Sequence, residues 1–180
     1  ECAWIGGRAE LLPQSVLGAV VFVLVAGEEI GWRGFFVLRL VEAGVPKPLL
    51  VSGLVWGLWH VPLILTGQYA AGPTPLLSGA VFIISIVPAA YLFAWVRLTT
   101  GSLWPAAIGH AAWNSIIQGV FDASTVGSSS AHSTNIWIGE SGILVATTSV
   151  VLAVLLMRKP FPVLARPGSA PLKELSLASS

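Results

Sequence analysis

From Val16 to Met157 the chain is a succession of apolar runs, and this pattern leaves few folds open. The runs cover about Val16 to Val41, Leu49 to Thr66, Leu76 to Val96, Leu103 to Phe121 and Ser141 to Met157. Each is near the ~20 residues that a helix needs to cross the hydrocarbon of a bilayer. They are too long for strands and lack polar alternation. Prolines and glycines fill the gaps between them: Gly44, Pro46 and Pro48; Gly67, Gly72, Pro73 and Pro75; Gly101 and Pro105. The pattern predicts an all-α, polytopic transmembrane helix bundle with about five spans.

Composition agrees. Only 9% of the 180 residues are charged, 55% are hydrophobic, and mean hydropathy is +0.84. A soluble domain carries roughly 25% charged residues, so this chain could not cover a surface in water. A net charge of +1 excludes an electrostatic footprint for nucleic acid. Cys2 is the single cysteine, so no intrachain disulfide forms. The start at Glu1, without methionine, leads to the expectation of a fragment lacking upstream helices. Residues 1–14 are then an extracytoplasmic segment, 15–157 the helical domain, and 158–180 a disordered cytoplasmic tail. Ser124 to Ser133 reads as a polar loop.

Charge placement gives an orientation. Arg39 and Lys47 lie between the first and second runs, and Arg97 between the third and fourth. Arg158, Lys159, Arg166 and Lys173 follow the fifth. With five alternating spans all of these fall on one side, which the positive-inside rule makes the cytoplasm; only Arg8 falls outside. The expected location is a bacterial cell membrane, as an integral multi-pass protein with the C-terminus cytoplasmic.

Within the spans the ionisable residues are Glu28, Glu29, Arg33, His60 and His110. A charge at mid-bilayer costs at least ~2.5–3.5 kcal/mol, so such groups face the protein interior and mark function. Glu29 and Arg33, at i and i+4, read as an ion pair on one helical face. Glu28 points about 100° away with no local cation, which leaves its carboxylate available as a base. His60, in "GLVWGLWHVPL", reads either as a site residue or as a histidine bonded to a neighbouring carbonyl. Pro62 is expected to kink or end that helix. Gly53 and Gly57 have the small-xxx-small spacing of a helix–helix contact, while Trp56 and Trp59 suit lipid or a pocket wall. His110 and Asn114, in "GHAAWNS", share a face as interhelical glue or as two donors to one oxygen. Counting a 1.5 Å rise from the basic ends puts Glu28, His60 and His110 at depths of ~20, ~17 and ~11 Å, in the middle-to-cytoplasmic part of the core.

The stretches "EEIGWRGFF", "WGLWH" and "HAAWN" resemble the three ordered motifs of the CAAX-protease and bacteriocin-processing family of intramembrane proteases, a superfamily that includes the eukaryotic Ras-converting prenyl protease. Trp56 stands where that family usually has Phe. The resemblance implies an endopeptidase in which Glu28 and His60 activate a water, Glu28 as general base, with His110 and Asn114 stabilising the oxyanion. Glu29 and Arg33 would support the site, and the substrate would be a membrane-anchored peptide or protein. No serine stands in a G-x-S-x-G context and H-E-x-x-H is absent. The expectation is a metal-free site, with zinc as the alternative, held by Glu28, His60 and His110 with one open position. A non-catalytic scaffold, immunity factor or proton-coupled carrier using the same buried groups is the competing class. No internal repeat of the kind common in carriers is evident.

Overall fold

A computed structural model describes residues 8–69, 74–122, 137 and 139–160. The expectations for residues 1–7, for the serine-rich stretch and for the tail beyond residue 160 lie outside the described residues.

Among the described residues the chain forms five helical rods. The first is continuous through α1 (Arg8–Glu29), a π-wound stretch π1 (Ile30–Phe36) and α2 (Val37–Glu42). The next two are α3 (Pro48–Leu65) and α4 (Pro75–Thr100). The fourth joins α5 (Trp104–Trp113) to a second π-wound stretch, π2 (Asn114–Asp122). The fifth is α6 (Ile143–Met157). Among the described residues all regular structure is helical. The α3 and α4 helices are each long and apolar enough to cross a membrane unaided.

Local chemistry sets the ends. Pro48, Pro75 and Pro105 occupy the first turns of α3, α4 and α5, where a missing N–H costs nothing. Gly44 and Gly67 take positive φ and close the first rod and α3. In both turns the glycine N–H and the next N–H bond back to the last helical carbonyls, as in a Schellman motif. Of the two outcomes expected of Pro62, a kink or an end, it does not end its helix: α3 runs on to Leu65, and the Pro62 carbonyl accepts bonds from the Thr66 N–H and hydroxyl. Proline is tolerated in such spans because neighbours satisfy the freed backbone groups.

The central helix is α4, packed against α3, α5 and α6, while α1 lies against α5. Small residues make these approaches close. A Cβ on Gly53 would sit 2.9 Å from the Val87 carbonyl oxygen, and one on Gly57 would sit 2.8 Å from Ile83 Cδ1. The small-xxx-small reading of α3 is therefore correct. Interior positions carry Ser52, Ser85, Ser149, Ala89, Ala94 and Ala153, whereas Val23, Leu24, Leu58, Ile84 and Leu155 face outward. Small and polar inside, large and apolar outside is the arrangement of a helix bundle in lipid. Of two buried clusters among the described residues, one gathers Val37, Leu49, Tyr91 and Leu98 toward the basic end. The other gathers Trp56, Ile64, Phe82 and Ile86 beside the ionisable groups.

Candidate active site

A cavity of about 680 Å³ lies between α1, α3, α4 and the fourth rod. Glu28, His60, His110 and Asn114 all line it. The three rods that carry the predicted residues thus bring them to one place. The wall also includes Gly18, Tyr69, Gln118 and Glu140, so the cavity runs from mid-bundle toward the end opposite the basic residues. The depth count placed it nearer the basic end. That count measured only where each Cα lies along its own rod, and so could not register the loop residues that complete the wall.

Glu29 and Arg33 form the predicted pair, and both are buried. Arg33 Nη1 donates to Glu29 Oε1 at 2.5 Å. The same oxygen lies 2.8 Å from His110 Nδ1. Because a carboxylate only accepts, Nδ1 carries the proton. The sequence reading made Glu29 a partner of Arg33 alone. The structure makes it the node between Arg33 and His110. The guanidinium is further held by aromatic faces, its Cζ 4.2 Å from the Trp56 ring centre and 5.3 Å from that of Phe93. Trp56 is a buried pocket wall, while Trp59 lines the cavity and is largely exposed.

Glu28 is half-buried on the cavity wall, and no hydrogen bond or ion pair ties it among the described residues. The neighbouring carboxylates therefore have different environments: Glu29 is anchored and Glu28 faces the cavity.

His60 has both properties that the sequence left open. Its Nδ1 bonds the Trp56 carbonyl at 2.8 Å, and its ring lines the cavity. A carbonyl accepts, so the proton is on Nδ1 and the neutral ring keeps an Nε2 lone pair. Rings of Trp59, Tyr69, Phe82 and Trp56 surround the imidazole at centroid distances of 4.9, 5.2, 5.2 and 5.5 Å and fix its plane. Asn114 begins π2, one turn beyond His110, and its Oδ1 lies 3.3 Å from Gln118 Nε2. The zinc alternative needs three ligands converging on one point. Among the described residues no group of three His, Cys, Asp or Glu is placed to hold a metal ion; Glu28, His60 and His110 line one cavity.

Sequence reasoning missed Glu140. It lies just before α6 and is 2% exposed. It accepts from Tyr69 Oη at 2.5 Å and from Trp113 Nε1 at 2.9 Å. In the sequence it looks like a loop carboxylate. The available signal was scarcity: between Ala43 and Met157 the only acidic residues are Asp122 and Glu140.

A family model described as type II CAAX prenyl endopeptidase, Rce1-like, matches residues 11–116. The chain belongs to the Rce1-like family. The matched stretch contains all three motifs and every predicted site residue. Family members are membrane-embedded, in agreement with the outward-facing apolar surface described above. A curated relative, CAAX prenyl protease 2 of Methanococcus maripaludis, is 33% identical over 86 residues, 44% of this chain and 32% of the relative. The chain thus spans about a third of the length of that relative. No solved structure matches it significantly.

Proposed function

We propose that this chain carries the catalytic centre of an intramembrane endopeptidase acting on a membrane-anchored protein, with a prenylated CAAX C-terminus as the substrate class. One observation carries the reading. Four groups suited to peptide hydrolysis, from three rods, line one cavity, and of the two adjacent glutamates the one facing it is free of hydrogen bonds and ion pairs among the described residues. The Rce1-like family and the name of the Methanococcus relative support the substrate class.

In this mechanism a water sits between Glu28 and His60. The His60 Nε2 lone pair accepts one hydrogen bond from it and orients it. Glu28 takes the proton as the oxygen attacks the scissile carbonyl. Negative charge develops on the carbonyl oxygen, facing His110 and Asn114, where fixed donors stabilise the transition state most. His110 stabilises that oxygen as the imidazolium, hydrogen-bonding it through Nε2–H and keeping that proton, while Nδ1–H stays bonded to Glu29 as counter-ion. The intermediate collapses, the C–N bond breaks, and Glu28 returns its proton to the leaving amine. Bond making and proton transfers balance without a metal or a covalent enzyme intermediate.

The test uses a fluorescent peptide ending in a farnesylated CAAX sequence. The purified protein in detergent should release the C-terminal tripeptide. Asn114→Ala should lower kcat by ~10²–10³ with little change in KM, as for loss of an oxyanion donor. No cleavage by the wild type, or equal kcat in the variant, overturns the reading.

A further inference from the structure

The buried Glu140 carboxylate has no place in the mechanism above, yet it stands against the cavity. Beyond its bonds to Tyr69 and Trp113, its Oε1 and Oε2 lie 3.3 and 3.2 Å from Gln118 Nε2. That nitrogen is also 2.8 Å from Tyr69 Oη and 3.3 Å from Asn114 Oδ1.

We propose that Glu140 is a positioning residue that sets, through Gln118, which end of the Asn114 amide faces the cavity. The inference rests on the oxyanion role given to Asn114 above. The two ends of an amide are nearly the same size but opposite in hydrogen-bonding sense. With its NH₂ toward the substrate, Asn114 stabilises the oxyanion. Turned over, it presents a carbonyl oxygen and repels it. Packing cannot choose between the two, so a group of fixed sense must. An ionised carboxylate is such a group, because it only accepts. Glu140 therefore draws the Gln118 NH₂ toward itself. One of its hydrogens serves Glu140 and the other is shared by Tyr69 Oη and Asn114 Oδ1; an NH₂ admits only an acceptor on that side of Asn114, which keeps Oδ1 toward Gln118 and leaves Nδ2 for the cavity. Tyr69 reinforces the direction, since its hydroxyl donates to Glu140 and accepts from Gln118.

The replacement Glu140→Gln keeps the shape and removes the fixed sense. With the farnesylated peptide as probe, kcat should fall about tenfold or more, bounded by the ~10²–10³ loss expected for Asn114→Ala, while KM stays within about threefold. In the Asn114→Ala background Glu140→Gln should lower kcat no further, because the group it positions is gone. The relay is overturned if Glu140→Gln leaves kcat unchanged, or lowers it by the same factor with and without Asn114. Wild-type kcat in Asn114→Ala alone overturns the oxyanion reading and the relay with it. A large Asn114→Ala loss beside a silent Glu140→Gln overturns the relay only. Should Glu140→Gln fail to fold, Gln118→Met breaks the same relay, and the same cycle with Asn114→Ala decides.

Discussion

Replacing Arg33 by methionine should destabilise the bundle far more than a surface charge change would. Glu29 is 0% exposed and its Oε1 takes bonds from Arg33 Nη1 and His110 Nδ1, while Oε2 has no partner among the described residues. Without Arg33, the carboxylate keeps only the imidazole. Breaking a buried ion pair by removing one partner costs about 3–5 kcal/mol. The guanidinium also loses its place over Trp56 and Phe93, worth ~0.5–2 kcal/mol. Methionine fills much of the space, and His110 still donates to Glu29, so the net loss is set near the lower limit, about 3 kcal/mol. Against a total stability of ~5–15 kcal/mol, that is a large share. The assay is equilibrium unfolding in mixed detergent, followed by tryptophan fluorescence. The double variant Glu29→Gln/Arg33→Met leaves no buried unpaired charge and should recover about 2 kcal/mol, the coupling expected of residues in one network. If the single losses add to within ~0.5 kcal/mol, Glu29 and Arg33 do not act as a pair and the argument fails.

Three further outcomes are expected. Gly53→Ala should destabilise by about 1–3 kcal/mol and more than Gly57→Ala, since the new Cβ meets the Val87 backbone oxygen in one case and movable side-chain ends of Ile83 and Ile86 in the other; equal melting temperatures would contradict the packing of α3 on α4. After Cys2 is replaced, a cysteine at Gln68 should react with an impermeant reagent from outside and one at Lys159 only from inside. The reverse pattern would overturn the positive-inside reading and put the Tyr69–Glu140 end of the cavity in the cytoplasm. Excess chelator should leave cleavage of the farnesylated peptide unchanged; activity lost to chelator and restored by zinc would assign Glu28, His60 and His110 to a metal.

The rods were legible because hydrophobic length is a local property. For α3, α5 with π2, and α6, each predicted end lies within two residues of the observed one. The first rod starts earlier, at Arg8, and α4 runs on to Thr100, because polar residues at helix ends carry little hydropathy signal. The ionisable residues that line the cavity were legible because such groups are rare in this chain. Two things were not. The π-wound stretches after Glu29 and from Asn114 leave no mark in composition, yet they set how the following side chains are turned. The bonds from Glu29 to His110 and from Glu140 to Tyr69 span 81 and 71 residues, and no local pattern encodes partners so far apart.

The central claim is that Glu28, and not its neighbour Glu29, makes water nucleophilic. Single-turnover cleavage of the farnesylated peptide by Glu28→Gln tests it most directly, with folding checked by the same fluorescence transition. The account predicts unchanged stability and a rate at least ~10²-fold below wild type, the loss expected when a general base is removed. A folded Glu28→Gln protein that cleaves at the wild-type rate would contradict it.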